Sequence, residues 1–120
     1  LTIYGNGEFL RDFVYIDDVV SAIYLANKFH TKLNRANYYY ISTNRGYSFN
    51  KFAKILSSFV RKFYQKKLNV IYLPWPKNTN KIDKRFFVGN SRNFIKITSW
   101  KPEVSLANNI KRFFKEIGYI

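Results

Sequence analysis

Apolar residues recur along this chain in two rhythms, one of period two and one of period three to four. Leu1-Thr2-Ile3-Tyr4-Gly5 is a short β-rich run closed by a turn at Gly5-Asn6-Gly7. Phe13-Val14-Tyr15-Ile16 is a second extended stretch. Asp17 and Asp18 follow and suit the N-cap of a helix. Val19, Val20, Ile23, Tyr24 and Ala26 then form one broad apolar face, which fades near His30. Residues 32–37 are polar and loop-like.

The pattern then repeats. Tyr38-Tyr39-Tyr40-Ile41-Ser42 is a strand by β-propensity, and Asn44 and Gly46 mark a turn after it. Ser48 caps a second helix, with Phe49, Phe52, Ala53, Leu56, Phe59, Val60 and Phe63 at helical spacing. Residues 68–73 are a further strand, stopped by Pro74-Trp75-Pro76 because proline cannot stay in a ladder. Residues 77–84 are a polar, basic loop, 91–97 a short helix, and Trp100-Lys101-Pro102 a turn. Ser105 caps a last helix that carries Leu106, Ile110, Phe113, Phe114 and Ile117. Alternating strands and helices predict an α/β class.

Composition narrows the function classes. With 120 residues, 47% of them hydrophobic, the chain has the length of one domain and enough apolar material for a core. No window approaches the roughly 18 apolar residues of a membrane-spanning helix. Cysteine is absent and His30 is the one histidine, so thiolate chemistry, a His-based triad and a His/Cys metal site are not expected. Methionine is absent too, and Leu1 opens the chain, which leads us to expect a fragment of a longer protein. The net charge is +14, from 21 Lys and Arg against 7 Asp and Glu, and it favours anionic partners. A Lys- and Asn-rich compositional drift would produce the same excess.

Few residues suggest chemistry by themselves. Gly5-Asn6-Gly7 lacks the later glycine and the following helix of a dinucleotide loop, so it reads as a tight turn. Asp17 and Asp18 are adjacent on one helix and do not face each other, which favours capping over a paired-carboxylate site. His30 lies near a helix C-terminus, where the dipole favours a surface imidazole. The aromatic residues sit at core spacing in the helices.

The run from Leu1 to Val19, with Gly5-Asn6-Gly7 and then Arg11-Asp12-Phe13-Val14-Tyr15-Ile16-Asp17-Asp18, resembles a known signature. It is similar to the opening of the C-terminal half of nucleotide-sugar epimerases and dehydratases, the extended short-chain dehydrogenase/reductase family. Three later stretches agree in order. Tyr39-Tyr40-Ile41 followed by Ser48-Phe49 and Phe52-Ala53 resembles the family's strand, turn and helix. Asp83-Lys84-Arg85-Phe86-Phe87-Val88 resembles a basic Asp-Arg-Arg-Tyr element. Trp100 to Leu106 resembles the family's Gly-Trp-x-Pro-x-Val-Ser-Leu close. Four positions depart from the pattern: Ser99 for glycine, Gly89 for aspartate, Arg92 for lysine and Tyr40 for asparagine.

The resemblance implies residues 1–120 as a single substrate-binding C-terminal region, with short strands and about four helices, lacking most of the Rossmann sheet. It implies a nucleotide-diphosphate sugar as ligand and NAD as cofactor. NAD would be held by an N-terminal Rossmann domain, because this chain has neither the family's glycine loop nor its Tyr-x-x-x-Lys pair. Arg11 and Arg85 match the two arginines that hold the diphosphate, a task suited to the guanidinium fork. Thr2, Ile3 and Tyr4 match the strand that holds the base. No catalytic residue falls in this chain, so in isolation it is expected to be inactive. It also implies a cytoplasmic, homodimeric full-length enzyme. Cut from the Rossmann sheet, the strand at 38–42 would have an unpaired edge, and the isolated chain is expected to be marginally stable or self-associating.

A rival reading is a small basic nucleic-acid-binding module. The charge and the aromatic residues support it, but the cations are scattered and no nucleic-acid motif is legible, so specific binding of that kind is not expected.

Overall fold

The computed structural model describes residues 1–34 and 37–118. It is a mixed α/β chain: β1 (Thr2–Tyr4), β2 (Leu10–Arg11), α1 (Ile16–Lys28), β3 (Tyr47–Ser48), α2 (Phe49–Tyr64), β4 (Ile71–Leu73), a 3-10 turn (Lys81–Lys84), α3 (Arg92–Thr98) and α4 (Leu106–Glu116). The strands form two small sheets. β1 pairs in parallel with β4, Ile3 opposite Tyr72, and β2 pairs antiparallel with β3, Arg11 opposite Tyr47. No helix among the described residues is long and apolar enough to cross a membrane.

Two helix starts follow the capping rule. The Ser48 hydroxyl accepts from Lys51 N at 3.2 Å and the Ser105 hydroxyl from Asn108 N at 3.3 Å, each satisfying an amide that the helix leaves open. α1 departs from the expectation. Its N-cap is Tyr15, not Asp17 or Asp18, and the two acids lie in the first turn, where the helix dipole favours them. The extended stretch expected at 13–16 is displaced: the strand is Leu10–Arg11, and Ile16 is already helical. The basic loop at 77–84 contains the 3-10 turn.

Two apolar clusters hold the elements together. Ala22, Phe94 and Trp100 bury against one another, with Leu25, Tyr39 and Ile41 packed around them. Phe59, Leu106 and Ile110 join α2 to α4, with Phe59 stacked on Phe114 at 4.9 Å between ring centroids. Among the helix aromatics Phe59 and Phe94 are buried and Phe52, Tyr64 and Phe114 pack against the clusters, whereas Phe63 and Phe113, expected on the core faces, are exposed, as is Tyr24. Asp18 ties the first cluster down. Its carboxylate accepts from Glu103 N at 3.0 Å and Val104 N at 3.3 Å, and its carbonyl accepts from Trp100 Nε1 at 3.1 Å. A buried carboxylate is tolerated here because amide donors surround it.

The strand expected at Tyr38–Ser42 does not form, and no described strand pairs with it. β-propensity needs a partner ladder, and this segment has none. Tyr38 and Tyr40 are 92% and 60% exposed. The structure is a slab of 50 × 37 × 18 Å whose radius of gyration, 17.2 Å, exceeds the roughly 13.6 Å of a compact domain of this length.

Candidate functional site

Arg11 sits at the end of β2, and its guanidinium crosses to the basic loop. Nη1 donates to Leu10 O at 2.8 Å and to Arg85 O at 2.6 Å, and Nη2 donates to Asp83 O at 2.6 Å. Its carbon lies 5.8 Å from the Phe49 ring centroid. The loop that receives it is locally built: Asn80 Oδ1 accepts from Ile82 N at 3.1 Å and starts the 3-10 turn. Phe87 N then donates to Leu10 O at 3.1 Å, which keeps the loop alongside β2. The Arg85 guanidinium lies 5.4 Å from the Phe87 ring centroid.

The structure thus brings together the two arginines singled out in the sequence, 74 positions apart. They line one cleft of about 200 Å³ with Ile82, Asp83 and Phe87. That is less than the roughly 300–1,000 Å³ of a complete small-molecule pocket. The only ion pair among the described residues is the exposed Arg112–Asp17 contact at 3.3 Å, so neither cleft arginine is neutralised by a carboxylate.

Thr2, Ile3 and Tyr4 lie apart from this cleft. Ile3 is buried, so its side chain belongs to the core, while Thr2 and Tyr4 are exposed on either side of it. An aromatic chain nevertheless links β1 to the loop. Tyr4 stacks on Trp75 at 6.0 Å, Trp75 meets Phe9 edge-on at 5.9 Å, and Phe9 meets Phe86 at 5.5 Å. Trp75 and Phe9 are absent from the sequence-based candidates. The tryptophan between two prolines signalled only the end of a strand.

The motif around Arg11 is otherwise structural. Asp12 Oδ1 accepts from Thr43 N at 2.9 Å and from the Thr43 hydroxyl at 2.6 Å, which joins β2 to the segment after Ile41. Asp17 faces outward to Arg112 and Asp18 inward, so the two acids form no carboxylate pair. His30 is exposed, with Nδ1 2.9 Å from Asn27 O. Tyr15 donates to Glu116, and this hydrogen bond, helped by desolvation, pushes its phenol up to about 12.

Larger hollows lie elsewhere. One, of about 400 Å³, runs between Thr43, Arg45, Lys101 and Glu103; another, of about 340 Å³, is apolar and lies between Phe13–Tyr15, Phe52 and Leu56 of α2, and α4. Neither contains Arg11 or Arg85. The Gly5-Asn6-Gly7 turn is no cradle for a dinucleotide pyrophosphate. A Cβ at Gly5 would come within 2.4 Å of Trp75 Nε1 and one at Gly7 within 2.2 Å of Asn50 Oδ1, and the chain continues into β2, not into a helix.

Comparison with known proteins shows what the chain is similar to. Residues 1–42 match the NAD dependent epimerase/dehydratase family. No curated protein sequence matches. Among solved structures, the chain is similar to UDP-glucose 4-epimerase of Thermotoga maritima, solved with UDP-glucose, at 28% identity and a TM-score of 0.73, over 98% of this chain and 35% of that one. The UDP-glucuronic acid 4-epimerase of Bacillus cereus, solved with UDP-glucuronic acid and NAD, shares the fold at 23% identity and a TM-score of 0.73, over 98% and 35%. The ADP-L-glycero-D-manno-heptose-6-epimerase of Helicobacter pylori does so at 22% and 0.71, over 100% and 33%. The chain spans about a third of the length of these proteins.

Proposed function

We propose that this chain, which carries the C-terminal part of the NAD-dependent epimerase/dehydratase fold, is the substrate-binding half of a nucleotide-sugar enzyme. The observation that supports this best is the convergence of Arg11 and Arg85 on one cleft, neither of them in an ion pair with a carboxylate among the described residues. Two guanidinium groups at one place suit a diphosphate, whose charge a single lysine would meet only as a point. The edge of β1 that is not paired with β4, with Thr2 and Tyr4 exposed and the Ile3 side chain in the core, would hold the base apart from the arginine cleft.

The hydride chemistry belongs to NAD when bound, and in this reading an N-terminal dinucleotide domain holds it. This chain's residues bind and orient. Fixing the sugar against a second domain supplies the orientation that such a transfer needs. The exposed side of α1 and the unpaired segment at 38–41 are the surfaces that such a domain would cover.

The test is a titration of UDP-glucose into this chain, alone and joined to an N-terminal half. Arg85→Ala should weaken binding by about 1.5–3 kcal/mol, the scale of charge-assisted hydrogen bonds. An unchanged affinity would remove Arg85 from the site. Tight binding of duplex DNA that collapses with salt would favour the nucleic-acid reading instead.

A further inference from the structure

We propose that the apolar hollow of about 340 Å³ between Phe13–Tyr15, α2 and α4 is a second ligand site, and that it takes a small, neutral, planar aromatic molecule carrying one hydrogen-bond donor. The proposal stands apart from the function proposed above, because the hollow shares no residue with the cleft of Arg11 and Arg85.

Helix α4 lines the hollow with Leu106, Asn109, Ile110 and Phe113, at the i, i+3, i+4, i+7 spacing of one helix face. Three of these are apolar, and the fourth is an amide. Asn109 is only 9% exposed, and its Oδ1 is buried with no hydrogen-bond partner. A buried acceptor left unbonded costs stability, and leucine at that position would carry no such cost. The one other polar side chain in the wall is Tyr15, whose hydroxyl already donates to Glu116. A water is a poor substitute, because a buried water needs about three hydrogen bonds and the remaining lining side chains are apolar. The Asn109 oxygen therefore asks for a donor that comes from outside the wall.

The rest of the lining specifies the body of the ligand. The Phe13 and Phe52 rings lie 5.4 Å apart between centroids and 19° from parallel, and they form an aromatic wall. A flat ring gains stacking or edge contacts against such a wall beyond the burial of its area. No charged side chain lines the hollow, so nothing there would compensate a charged ligand for its lost water. Its volume falls within the roughly 300–1,000 Å³ of small-molecule sites. A single helical turn, about 10 Å across and about 5.4 Å tall, already exceeds it, so the occupant is a small molecule and not an added helix. Phe113 is 53% exposed, which leaves the hollow open to a solute.

Indole is the probe, and the 120-residue chain is the sample. Benzofuran is the control, since it keeps the bicyclic shape and has an oxygen in place of the N–H donor. In an NMR titration indole should bind with a dissociation constant of about 1 mM or tighter, and it should shift the Asn109 side-chain amide and the Ile110 methyls. Benzofuran should bind about tenfold more weakly, the scale of one hydrogen bond to a buried acceptor. Asn109→Leu should abolish this preference while still admitting both molecules. Equal affinities in the unaltered chain, no binding of indole, or shifts that spare Asn109 and Ile110 would each overturn the proposal without recourse to a variant. A preference for indole that survives Asn109→Leu would overturn it too. Indole binding should persist when the chain is joined to an N-terminal half; its loss there would show that the hollow seats that half and would overturn the ligand site. None of these results depends on whether UDP-glucose binds at the arginine cleft, so the two readings fail separately.

Discussion

Helix α1 has two sides of opposite character. On the inner side Asp18 and Ala22 are buried, and the Asp18 carboxylate receives two backbone amides from the segment before α4. On the outer side Ile16, Val20, Ile23 and Tyr24 follow the i, i+4, i+7, i+8 stripe of a packed helix, yet each is 57–66% exposed. A carboxylate inside and isoleucines outside invert the usual rule. The inside is explained by full hydrogen bonding. The outside has no such compensation within the described residues, and a contiguous apolar stripe of this kind marks a surface made to be covered. One side of the helix is a finished core, and the other is half of one.

Breaking the inner side should have the largest effect. Trp100→Ala should destabilise the chain by about 4 kcal/mol, since it opens a cavity beside Phe94 and Ala22 and removes the indole that reaches Asp18 O and Ser21 Oγ. Chemical denaturation measures this, and a loss below about 1 kcal/mol would mean that the site collapses freely. Asp18→Ala should follow at about 3 kcal/mol, because it strands the amides of Glu103 and Val104.

The outer side should respond in solution behaviour. Replacing Val20 and Ile23 by serine should leave the unfolding midpoint of the isolated chain nearly unchanged and reduce its self-association in sedimentation. Joined to an N-terminal half, the same variant should lose stability. Equal destabilisation in both settings would show that the stripe is packed within this chain, and the contrast between the two sides would disappear.

Smaller effects sharpen the picture at the margins of the core. Ser99 caps α3 with φ of 58°, donating from its N–H to Ile95 O at 2.7 Å, in the left-handed conformation that glycine adopts without strain. Ser99→Gly, the residue that the family pattern carries there, should stabilise by about 0.5–1 kcal/mol. Gly89, another departure, behaves in the opposite way. A Cβ there would come within 2.4 Å of the Ser42 Cβ, so restoring aspartate should destabilise. At the α1–α4 junction, the Tyr15 phenol is raised from 10.0 to about 12 by its bond to Glu116. A raised phenol contributes stability that is complete below pH 10 and fades as pH rises from 10 toward 12. Tyr15→Phe should lose that alkaline step, which pH-dependent denaturation would show.

Much of this architecture was readable along the chain because it depends on near neighbours. Ser48 and Ser105 cap helices by reaching three residues ahead, and the period of α2 and α4 places Phe59 and Ile110 inward on any partner. The strands Thr2–Tyr4 and Ile71–Leu73 lie within the runs 1–5 and 68–73 that read as strands by their own composition. Tertiary structure decided the rest. Tyr38–Ile41 has the residues of a strand, but a strand exists only against another, and no described strand lies beside it. β2 and β3 are two residues each, too short to leave a period. The inner side of α1 was settled by Glu103 and Val104, whose amides arrive from more than 80 positions away to make a buried Asp18 stable. Arg11 and Arg85 could be singled out one at a time, but that Arg11 reaches the carbonyls of Asp83 and Arg85 depends on where the folded loop lies, and no local pattern encodes that.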